Sequence, residues 1–404
     1  MAGKMRPETP GERFDPLVVL GGGYAGLTVA QQFAHRTRDR AAVVVVDREP
    51  VHVLRTELYE IGRLAAAGRD VAPWTVPLAR ALERPNISVR TGTVRSIDLA
   101  ARRVQLEDGE IAFGALAIAL GSEPAYYGVP GAAEQTHEVY RLSGAVRLAA
   151  AVRAVEAASP ALPGERRPRF VVVGGGSTGT ELAAELATVD WAHVTGVAAR
   201  PPEVVLLTGS LPFLAGFSPT LIARARTGLR RAGVSVVTGW NVRRVDPGRV
   251  ELEDGSVFVC DLTVWCAGLE APSLVRQLPV PHGPGGRIAV EPTLEIPGHP
   301  GVFAIGDAAD LRDPESGLRV PGTAQAALAE GRAAAANLVA RRRGEALTPF
   351  RYRERGAVVA LGIGEAAGAV RQLSLGGSPA SLLKRLVQRD YARSVERGEP
   401  PSLI

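Results

Sequence analysis

The sequence predicts an α/β protein in which two similar units each build a parallel sheet, followed by a small C-terminal α+β region. A short apolar strand at Leu17 leads into glycines, an amphipathic helix and the second apolar strand "AAVVVVD". The same order recurs from Phe170, where "FVVVGGG" precedes a helix and then the strand "EVVLL". Strand, turn, helix and strand in this order form a βαβ unit. The chain is therefore predicted to contain an internal duplication about one domain long.

Composition and charge exclude several classes of protein. With 46% hydrophobic and 22% charged residues among 404, the chain has the composition of an ordinary globular protein with more than one core. Two cysteines are too few for a disulfide framework and indicate a reducing compartment. The net charge of +5 comes from arginine, without basic runs interleaved with aromatics, so we expect no nucleic-acid partner. We also predict no metal site.

The N-terminal segment "MAGKMRPETPGERFDP" lacks the apolar core of a secretory signal. No apolar run is long enough to cross a bilayer. We therefore expect a cytoplasmic protein whose residues 1–14 form a disordered tail.

The rest of the chain supports the duplication. Residues 88–122 and 235–268 each alternate apolar and polar residues, which predicts two β-meanders. "AASPALPGERRPR", beginning at Ala157, is typical of an exposed connection. A helix, short strands and an amphipathic helix follow Leu311. The predicted domain boundaries are 15–140 with 269–345 for the first unit, 141–268 for the second, and 346–404 for the C-terminal region.

The first glycine turn has the spacing of a Rossmann-like dinucleotide-binding domain. Gly21, Gly23 and Gly26 occupy the G-x-G-x-x-G positions. The first glycine makes the tight turn, the second lets a pyrophosphate approach, and the third packs helix against strand. Asp47 ends the next strand, where an acid holds ribose hydroxyls.

The second turn matches the first in its glycines but not in its acid. Gly174, Gly176 and Gly179 have the same spacing, but the following strand ends in Thr208. A carboxylate there would select an unphosphorylated ribose, and no arginine follows at once to bind a 2′-phosphate. The sequence therefore leaves open NADH, NADPH or a vestigial site.

A third segment, "GVFAIGDAADL", places Asp307 after a strand and a glycine, where an acid can bind a polyol such as the ribityl chain of a flavin. With this segment, the sequence resembles the two-dinucleotide-binding flavoproteins of the pyridine nucleotide–disulphide reductase superfamily over about residues 15 to 370. Within them it is most similar to the type II NADH dehydrogenases, which are NADH:quinone oxidoreductases.

The resemblance implies a tightly bound FAD in the first unit. Its predicted contacts come from the turn, "HVLRTELYE", "TGTV", "IALGSEPAYYGVPG", "GVFAIGDAADL" and "PGTAQAALAEG". These contacts are Gly21, Gly23, Tyr24, Ala25, Gly26, Asp47, Arg48, Arg55, Thr56, Val94, Ala119, Leu120, Gly121, Gly306, Asp307, Ala324 and Gln325.

The resemblance also implies that the second unit binds NADH or NADPH as co-substrate. The predicted contacts there are Gly174, Gly176, Ser177, Thr178, Gly179, Ala267 and Gly268. Glu181 is the predicted catalytic residue, and we expect it in the first turn of its helix, beside the nicotinamide. The alternative for Glu181 is an acid that only stabilises the helix dipole.

The electron acceptor is predicted to be a quinone. Cys260 and Cys266 lie on one predicted strand, where six residues span about 20 Å. A disulfide allows only roughly 7 Å between α-carbons. The two cysteines therefore cannot form a redox-active disulfide, which excludes disulfide reduction. Ala329 and Glu330 depart from the family's usual glutamines, so a soluble dye-like quinone, oxygen or a small redox protein such as a ferredoxin remain alternatives. A low-turnover, NAD(H)-binding flavoprotein sensor is the alternative from another class.

The last helix has two interpretations. Leu382, Leu383, Leu386, Val387 and Tyr391 recur at helical spacing among Lys384, Arg385, Arg389 and Arg393. Such a basic amphipathic helix can lie on the inner face of a membrane. It can equally cover the core or a homodimer partner.

Overall fold

The computed structural model describes residues 15–68, 70–164, 166–370 and 373–399. The predicted tail, residues 1–14, lies outside these described residues. The elements of the first unit are β1 (Leu17–Leu20), α1 (Tyr24–Arg36), β2 (Val43–Asp47), β3 (Val51–Val53), α2 (Ile61–Ala67), β4 (Thr75–Pro77), α3 (Leu78–Ala81), β5 (Ile87–Thr91), β6 (Val94–Asp98), β7 (Arg103–Leu106), β8 (Gly109–Ala112), β9 (Ala115–Ile118), β10 (Glu123–Pro124) and α4 (Ala132–Gln135).

The second unit and the C-terminal region follow in chain order. The elements of the second unit are α5 (Leu142–Ala158), β11 (Arg169–Val173), α6 (Ser177–Thr188), α7 (Trp191–Thr195), β12 (Glu203–Thr208), α8 (Pro219–Arg231), β13 (Val234–Thr238), β14 (Val242–Asp246), β15 (Arg249–Leu252), β16 (Val257–Val259) and β17 (Leu262–Trp265). After them come β18 (Leu269–Glu270), α9 (Ser273–Arg276), β19 (Ile288–Ala289), β20 (Val302–Ala304), β21 (Ala309–Asp310), α10 (Ala324–Arg343), β22 (Ala357–Ala360), β23 (Ala366–Val370), β24 (Leu373–Gly376) and α11 (Gly377–Glu396).

The first sheet has the strand order β20-β9-β1-β2-β5, and every pairing in it is parallel. Strand β1 reads LVVL and is buried along its whole length. Such a continuous apolar run is typical of a parallel strand with both faces covered. Because β20 comes from residues 302–304, the first sheet is completed by chain that follows the second unit.

The second sheet repeats this order as β13-β12-β11-β17, again all parallel. Leu17 pairs with Val43 in the first sheet, and Phe170 pairs with Val204 in the second. The prediction of two Rossmann-like units in one α/β chain is confirmed.

The two predicted meanders are only partly correct. The antiparallel ribbons are β6-β7-β8 and β14-β15-β16. The strands at either end of each stretch, β5 and β9 or β13 and β17, instead belong to the parallel sheets. Their backbone pairs with the buried strands β2, β1, β12 and β11, which alternation along the chain does not reveal.

The connection after the second unit's first helix is less exposed than expected. Helix α5 continues to Ala158, and Ser159 is fully buried. The Ser159 hydroxyl accepts a hydrogen bond from the backbone N–H of Arg200 at 3.0 Å. The segment therefore begins as ordered backbone that is hydrogen-bonded to the second unit.

The C-terminal region is a small three-stranded antiparallel sheet, β22-β23-β24, with α11 packed against it. Leu361, which follows β22, meets Gly228 of α8, so this region packs on the second unit. Tyr391 and Val395 of α11 join the core of the first unit. Among the described residues, no helix is long and apolar enough to span a membrane.

Candidate functional site

The two glycine turns have the same backbone geometry. Gly21 has a φ of 103° and donates its N–H to the carbonyl of Val46 at 2.7 Å. Gly174 has a φ of 121° and donates to the carbonyl of Leu207 at 2.8 Å. Both φ values lie where L side chains are disfavoured, so both positions favour glycine.

Close approach of backbone explains two glycines of each turn. A Cβ on Gly21 would collide with the carbonyl oxygen of Ala119, and a Cβ on Gly174 with that of Cys266. A Cβ on Gly26 would collide with the Gly21 carbonyl, and Gly179 repeats this contact with Gly174. The first and third glycines are thus required by the strand and helix packed against each turn.

The middle glycine of each motif faces open space. A Cβ on Gly23 or Gly176 would meet nothing within 4 Å. Each of these glycines is the N-cap of a helix whose first N–H groups have no intrahelical partner. Tyr24 and Ala25 begin α1, and Ser177 and Thr178 begin α6, beside these openings. Such a cradle fits a dinucleotide pyrophosphate.

The residue that ends the second strand distinguishes the two turns. Asp47 ends β2 and Thr208 ends β12. The two residues are equivalent in their backbone bonds, because the N–H of Gly92 donates to the carbonyl of Asp47 and the N–H of Gly239 to that of Thr208. The Asp47 carboxylate accepts from the N–H of Gly22 at 2.6 Å and of Glu49 at 2.9 Å.

Thr208 has no such bond. Its hydroxyl is buried without a hydrogen-bond partner among the described residues, and its methyl packs against Gly175. The structure therefore places Thr208 in the position where a ribose-binding acid was expected. Arg48, the residue after Asp47, is exposed, and Val94 begins β6 two residues after Gly92.

Several predicted flavin contacts come together beside the first turn. Arg55 and Thr56 lie in a 3-10 helix, Arg55–Glu57. The Tyr24 hydroxyl hydrogen-bonds to the Thr56 hydroxyl at 3.1 Å. The Arg55 guanidinium lies next to Gly121, in the segment Ala119–Gly121 that follows β9.

A second group surrounds Asp307. Its carboxylate accepts a hydrogen bond from the Ser122 hydroxyl at 2.7 Å. The neighbouring Gly306 has a φ of 66° and donates its N–H to the Glu330 carboxyl at 2.6 Å. Burial raises the pKa of Glu330 to about 8. Glu330 is almost fully buried. Its bond to Gly306 therefore fixes the backbone next to Asp307.

The N-terminus of α10 faces the same region. Thr323 caps it by accepting from the N–H of Ala326 at 3.2 Å, and Ala324 is the first helical residue. The Gln325 amide oxygen accepts from the Tyr352 hydroxyl at 3.2 Å and from the Arg355 N–H at 2.9 Å.

Glu181 lies elsewhere than its sequence position suggested. Helix α6 begins at Ser177 and has no acid in its first turn, so the first-turn placement and the dipole alternative are wrong. The reason is that the helix starts two residues before Gly179. The buried Glu181 carboxylate forms an ion pair with Lys384 of α11 and accepts from the N–H of Ala360 at 3.0 Å.

The end of the second unit contains Ala267 and Gly268. The carbonyl of Gly268 accepts from the N–H of Ala125 at 3.0 Å. This bond links the segment that leads into the second unit to the segment that leaves it. The Tyr127 side chain lies against Gly268.

The two cysteines do not share a strand as expected, because Cys260 precedes β17 and Cys266 follows it. Both are buried and free. Burial raises the pKa of the Cys266 thiol to about 12, so it carries no reactive thiolate. Among the described residues, no group of metal-ligating side chains comes together.

Sequence reasoning missed four residues that lie at the two turns or support them. Lys384 pairs with Glu181, and His52 hydrogen-bonds to Gly22 and to Tyr391. The fourth is Trp240. Trp240 is 49% exposed, whereas Trp74, Trp191 and Trp265 are buried. It follows Gly239 at the second turn, as Thr93 follows Gly92 at the first. Alignment of "TGTV" with "TGWNV" between the two units would have singled it out.

Comparison with known proteins agrees with this geometry. A model of the family "Pyridine nucleotide-disulphide oxidoreductase" matches residues 15–331. An NADH dehydrogenase-like protein of Mycobacterium tuberculosis is 34% identical over 313 residues, which cover 75% of each chain. The type II NADH:quinone oxidoreductase Ndh of the same organism is 27% identical over 417 residues, covering 97% of this chain and 87% of the relative.

A solved structure shares the whole fold. NDH2 from Plasmodium falciparum in complex with NADH has a TM-score of 0.79 at 14% identity. The match covers 95% of this chain and 96% of that chain.

Proposed function

The chain belongs to the pyridine nucleotide-disulphide oxidoreductase family, and on that premise we propose that it is an FAD-dependent NAD(P)H dehydrogenase that passes two electrons to a quinone-type acceptor. One observation carries this proposal: two geometrically equivalent nucleotide cradles in one chain, of which only the first has a bonded acid at the end of its second strand. A cradle with such an acid suits a nucleotide that stays bound, and a cradle without one suits a nucleotide that exchanges.

The first cradle is assigned to FAD. Gly23 leaves space for the pyrophosphate, the Asp47 carboxylate retains lone pairs for ribose hydroxyls, and Asp307 is oriented by Ser122 for a polyol chain. The N-terminus of α10 provides positive potential near the flavin ring. FAD, when bound, accepts a hydride from a nicotinamide and passes on two electrons. The domain formed by residues 15–140 and 269–345 would hold it.

The second cradle, in residues 141–268, is assigned to NADH or NADPH. Its opening at Gly176 suits the pyrophosphate, and the exposed Trp240 offers a face on which an adenine can stack. Glu181 lies on α6 with its carboxylate held in place by Lys384 and Ala360. We assign Glu181 the role of shaping the nicotinamide side of the pocket.

A quinone is favoured over a disulfide as acceptor. A family member that reduces disulfides needs a reactive pair of thiols beside the flavin. The two cysteines of this chain flank β17 in the second unit, buried and free. The similar type II NADH:quinone oxidoreductase is named for a quinone acceptor, and its match extends over the C-terminal region of this chain.

We also propose that the C-terminal region contacts the inner face of the cell membrane. Leu373, Leu382 and Leu386 are exposed by 71%, 52% and 47%, and Ile363 is exposed as well. Leu382 and Leu386 lie on α11, where Arg385 and Arg389 are exposed as well. Apolar side chains next to arginines suit an anionic lipid surface. Co-sedimentation with anionic vesicles tests this; a dimer that does not bind vesicles would assign the face to a second copy of the chain.

Steady-state oxidation of NADH and NADPH tests the function itself. With a short-chain soluble quinone we expect rapid turnover and the parallel double-reciprocal lines of a ping-pong reaction. Negligible turnover with quinone but rapid reduction of a ferredoxin would assign the enzyme to a protein acceptor. Slow turnover with both would contradict the dehydrogenase proposal.

A further inference from the structure

Gly22, in the middle of the first glycine turn, has both of its backbone polar groups hydrogen-bonded to side chains. The N–H of Gly22 donates to the Asp47 carboxylate at 2.6 Å, and the carbonyl of Gly22 is hydrogen-bonded to Nδ1 of His52 at 2.8 Å. The carbonyl of Gly22 and the N–H of Gly23 belong to one planar, trans peptide unit, so they point in opposite directions. Fixing the carbonyl therefore also fixes the direction of the Gly23 N–H at the phosphate cradle.

The hydrogen bonds define which nitrogen of His52 carries the proton. A carbonyl accepts only, so Nδ1 must be protonated and donate to Gly22. Complete burial lowers the pKa of His52 to about 4, and the ring is neutral near pH 7. Its Nε2 is therefore an acceptor, and the Tyr391 hydroxyl donates to it at 3.0 Å.

Tyr391 belongs to α11, the last helix of the chain. Its ring stacks on that of Tyr24 with centroids 4.8 Å apart, and Tyr24 is the first residue of the helix that follows the turn. Tyr391 is 3% exposed, and Val395, one turn further along α11, belongs to the same core. The last helix is thus connected to the first glycine turn by the hydrogen bonds of a buried histidine and by the stacking of Tyr391 on Tyr24.

The second turn has a different support. The carbonyl of Gly175, the counterpart of Gly22, accepts from the backbone N–H of Leu214 at 2.9 Å. Leu214 lies in the loop after β12 of the same domain, and no residue of α11 takes part in this bond. A chain of hydrogen bonds therefore connects α11 to the turn carbonyl of the first cradle, whereas the turn carbonyl of the second cradle is bonded within its own unit.

We infer that Tyr391, His52 and Gly22 form a positioning relay through which the C-terminal helix fixes the phosphate-binding turn and so controls how tightly the flavin nucleotide is retained. This rests on the proposed function, since it takes the first cradle to be the FAD site. His52 and Tyr391 act through the turn, and their contacts are with the protein and not with the nucleotide.

Three substitutions separate the steps of the relay. Tyr391→Phe removes the hydroxyl and keeps the ring on Tyr24. His52→Asn places an amide N–H near the position of Nδ1 and disconnects Tyr391, whereas His52→Leu removes both bonds. Ser394→Ala is the matched control, because it deletes a buried hydroxyl of the same helix that donates to the Asp390 carbonyl within α11.

The measurement is the rate of FAD release from each purified full-length protein, followed by the rise in flavin fluorescence, with the FAD Kd of the deflavinated protein. We expect release about tenfold faster in His52→Leu, about threefold faster in Tyr391→Phe and His52→Asn, and unchanged in Ser394→Ala. Adding Tyr391→Phe to His52→Leu should change nothing further, because the relay is already broken.

A second readout excludes general loosening of the protein. Binding of ADP-ribose to the second cradle should keep its wild-type Kd in all variants. Equal FAD release in wild type and His52→Leu, or a parallel loss of ADP-ribose binding, would overturn the relay. A wild-type protein that takes up no FAD at all would instead overturn the proposed function, and with it the premise.

Discussion

Asp47 and Thr208 occupy the same place in the two turns, and their difference separates the two nucleotide sites. Asp47 binds the N–H of Gly22, while the Thr208 hydroxyl is buried without a partner among the described residues. Thr208→Asp should therefore let the second turn hold ribose hydroxyls as the first does. Because a hydrogen bond to a charged group contributes about 1.5–3 kcal/mol, we expect the KM for NADH to fall about tenfold relative to that for NADPH.

The reverse substitution is the matched control for Thr208→Asp. Asp47→Thr should weaken FAD binding and leave the KM ratio of the two nicotinamide nucleotides unchanged. Steady-state kinetics with both donors measures this ratio. An unchanged ratio in Thr208→Asp would mean that the ribose does not lie at the end of β12.

Glu330 predicts a pH dependence of stability. Burial raises its pKa from 4.5 to about 8, so the folded protein binds more protons than the unfolded chain between these values. Stability should then decrease as pH rises through this window, by up to about 1.4 kcal/mol per pH unit. Glu330→Gln keeps an acceptor for the Gly306 N–H without the ionisable group. Its melting temperature should exceed that of the wild type by more at pH 8 than at pH 6; a constant difference would contradict the shifted pKa.

At the scale of elements, Lys384 anchors α11 to the second unit. It pairs with Glu181 of α6 and lies 4.5 Å from the centre of the Tyr59 ring. It also lies near Glu57 and Glu60, whose carboxyl pKa values are raised by burial, to about 7 for Glu57. The sequence leaves open whether the basic helix that contains Lys384 faces a membrane, the core or a partner, and the structure shows Lys384 largely buried in an ion pair.

Lys384→Met should therefore destabilise the protein strongly. It leaves the Glu181 carboxylate buried without its cation, which typically costs about 3–5 kcal/mol. The double variant with Glu181→Gln should recover most of that loss, because no uncompensated charge remains. Urea unfolding of the three proteins measures both values. A loss below about 1 kcal/mol in the single variant would show that Glu181 does not depend on Lys384.

The elements that periodicity and glycine spacing determine were predictable. A parallel strand buried on both faces is a continuous apolar run, and the turns need glycine at fixed offsets, so both βαβ units were found from sequence. The end strands of the predicted meanders were misassigned because the residues of a strand do not show whether it pairs with its neighbour in sequence or with a distant strand. Helix α6 has its N-cap at Gly176, earlier than expected from the sequence, so Glu181 lies beyond its first turn.

At the scale of the whole molecule, contacts between distant segments were beyond prediction. His52 and Tyr391 are 339 residues apart, and Glu181 and Lys384 are 203 apart. Neither pair belongs to a repeat or a spacing motif. Such contacts depend on how the C-terminal region packs across both units, and the packing is visible only in three dimensions.

We propose that both cradles work together, one holding FAD and the other admitting a nicotinamide that reduces it. Anaerobic titration of the purified protein with NADH, then with NADPH, followed at the visible flavin band, tests this most directly. We expect stoichiometric bleaching by at least one donor and return of the band when anaerobic quinone is added. A flavin that stays oxidised with both donors would contradict it, because the second cradle would then deliver no electrons to the first.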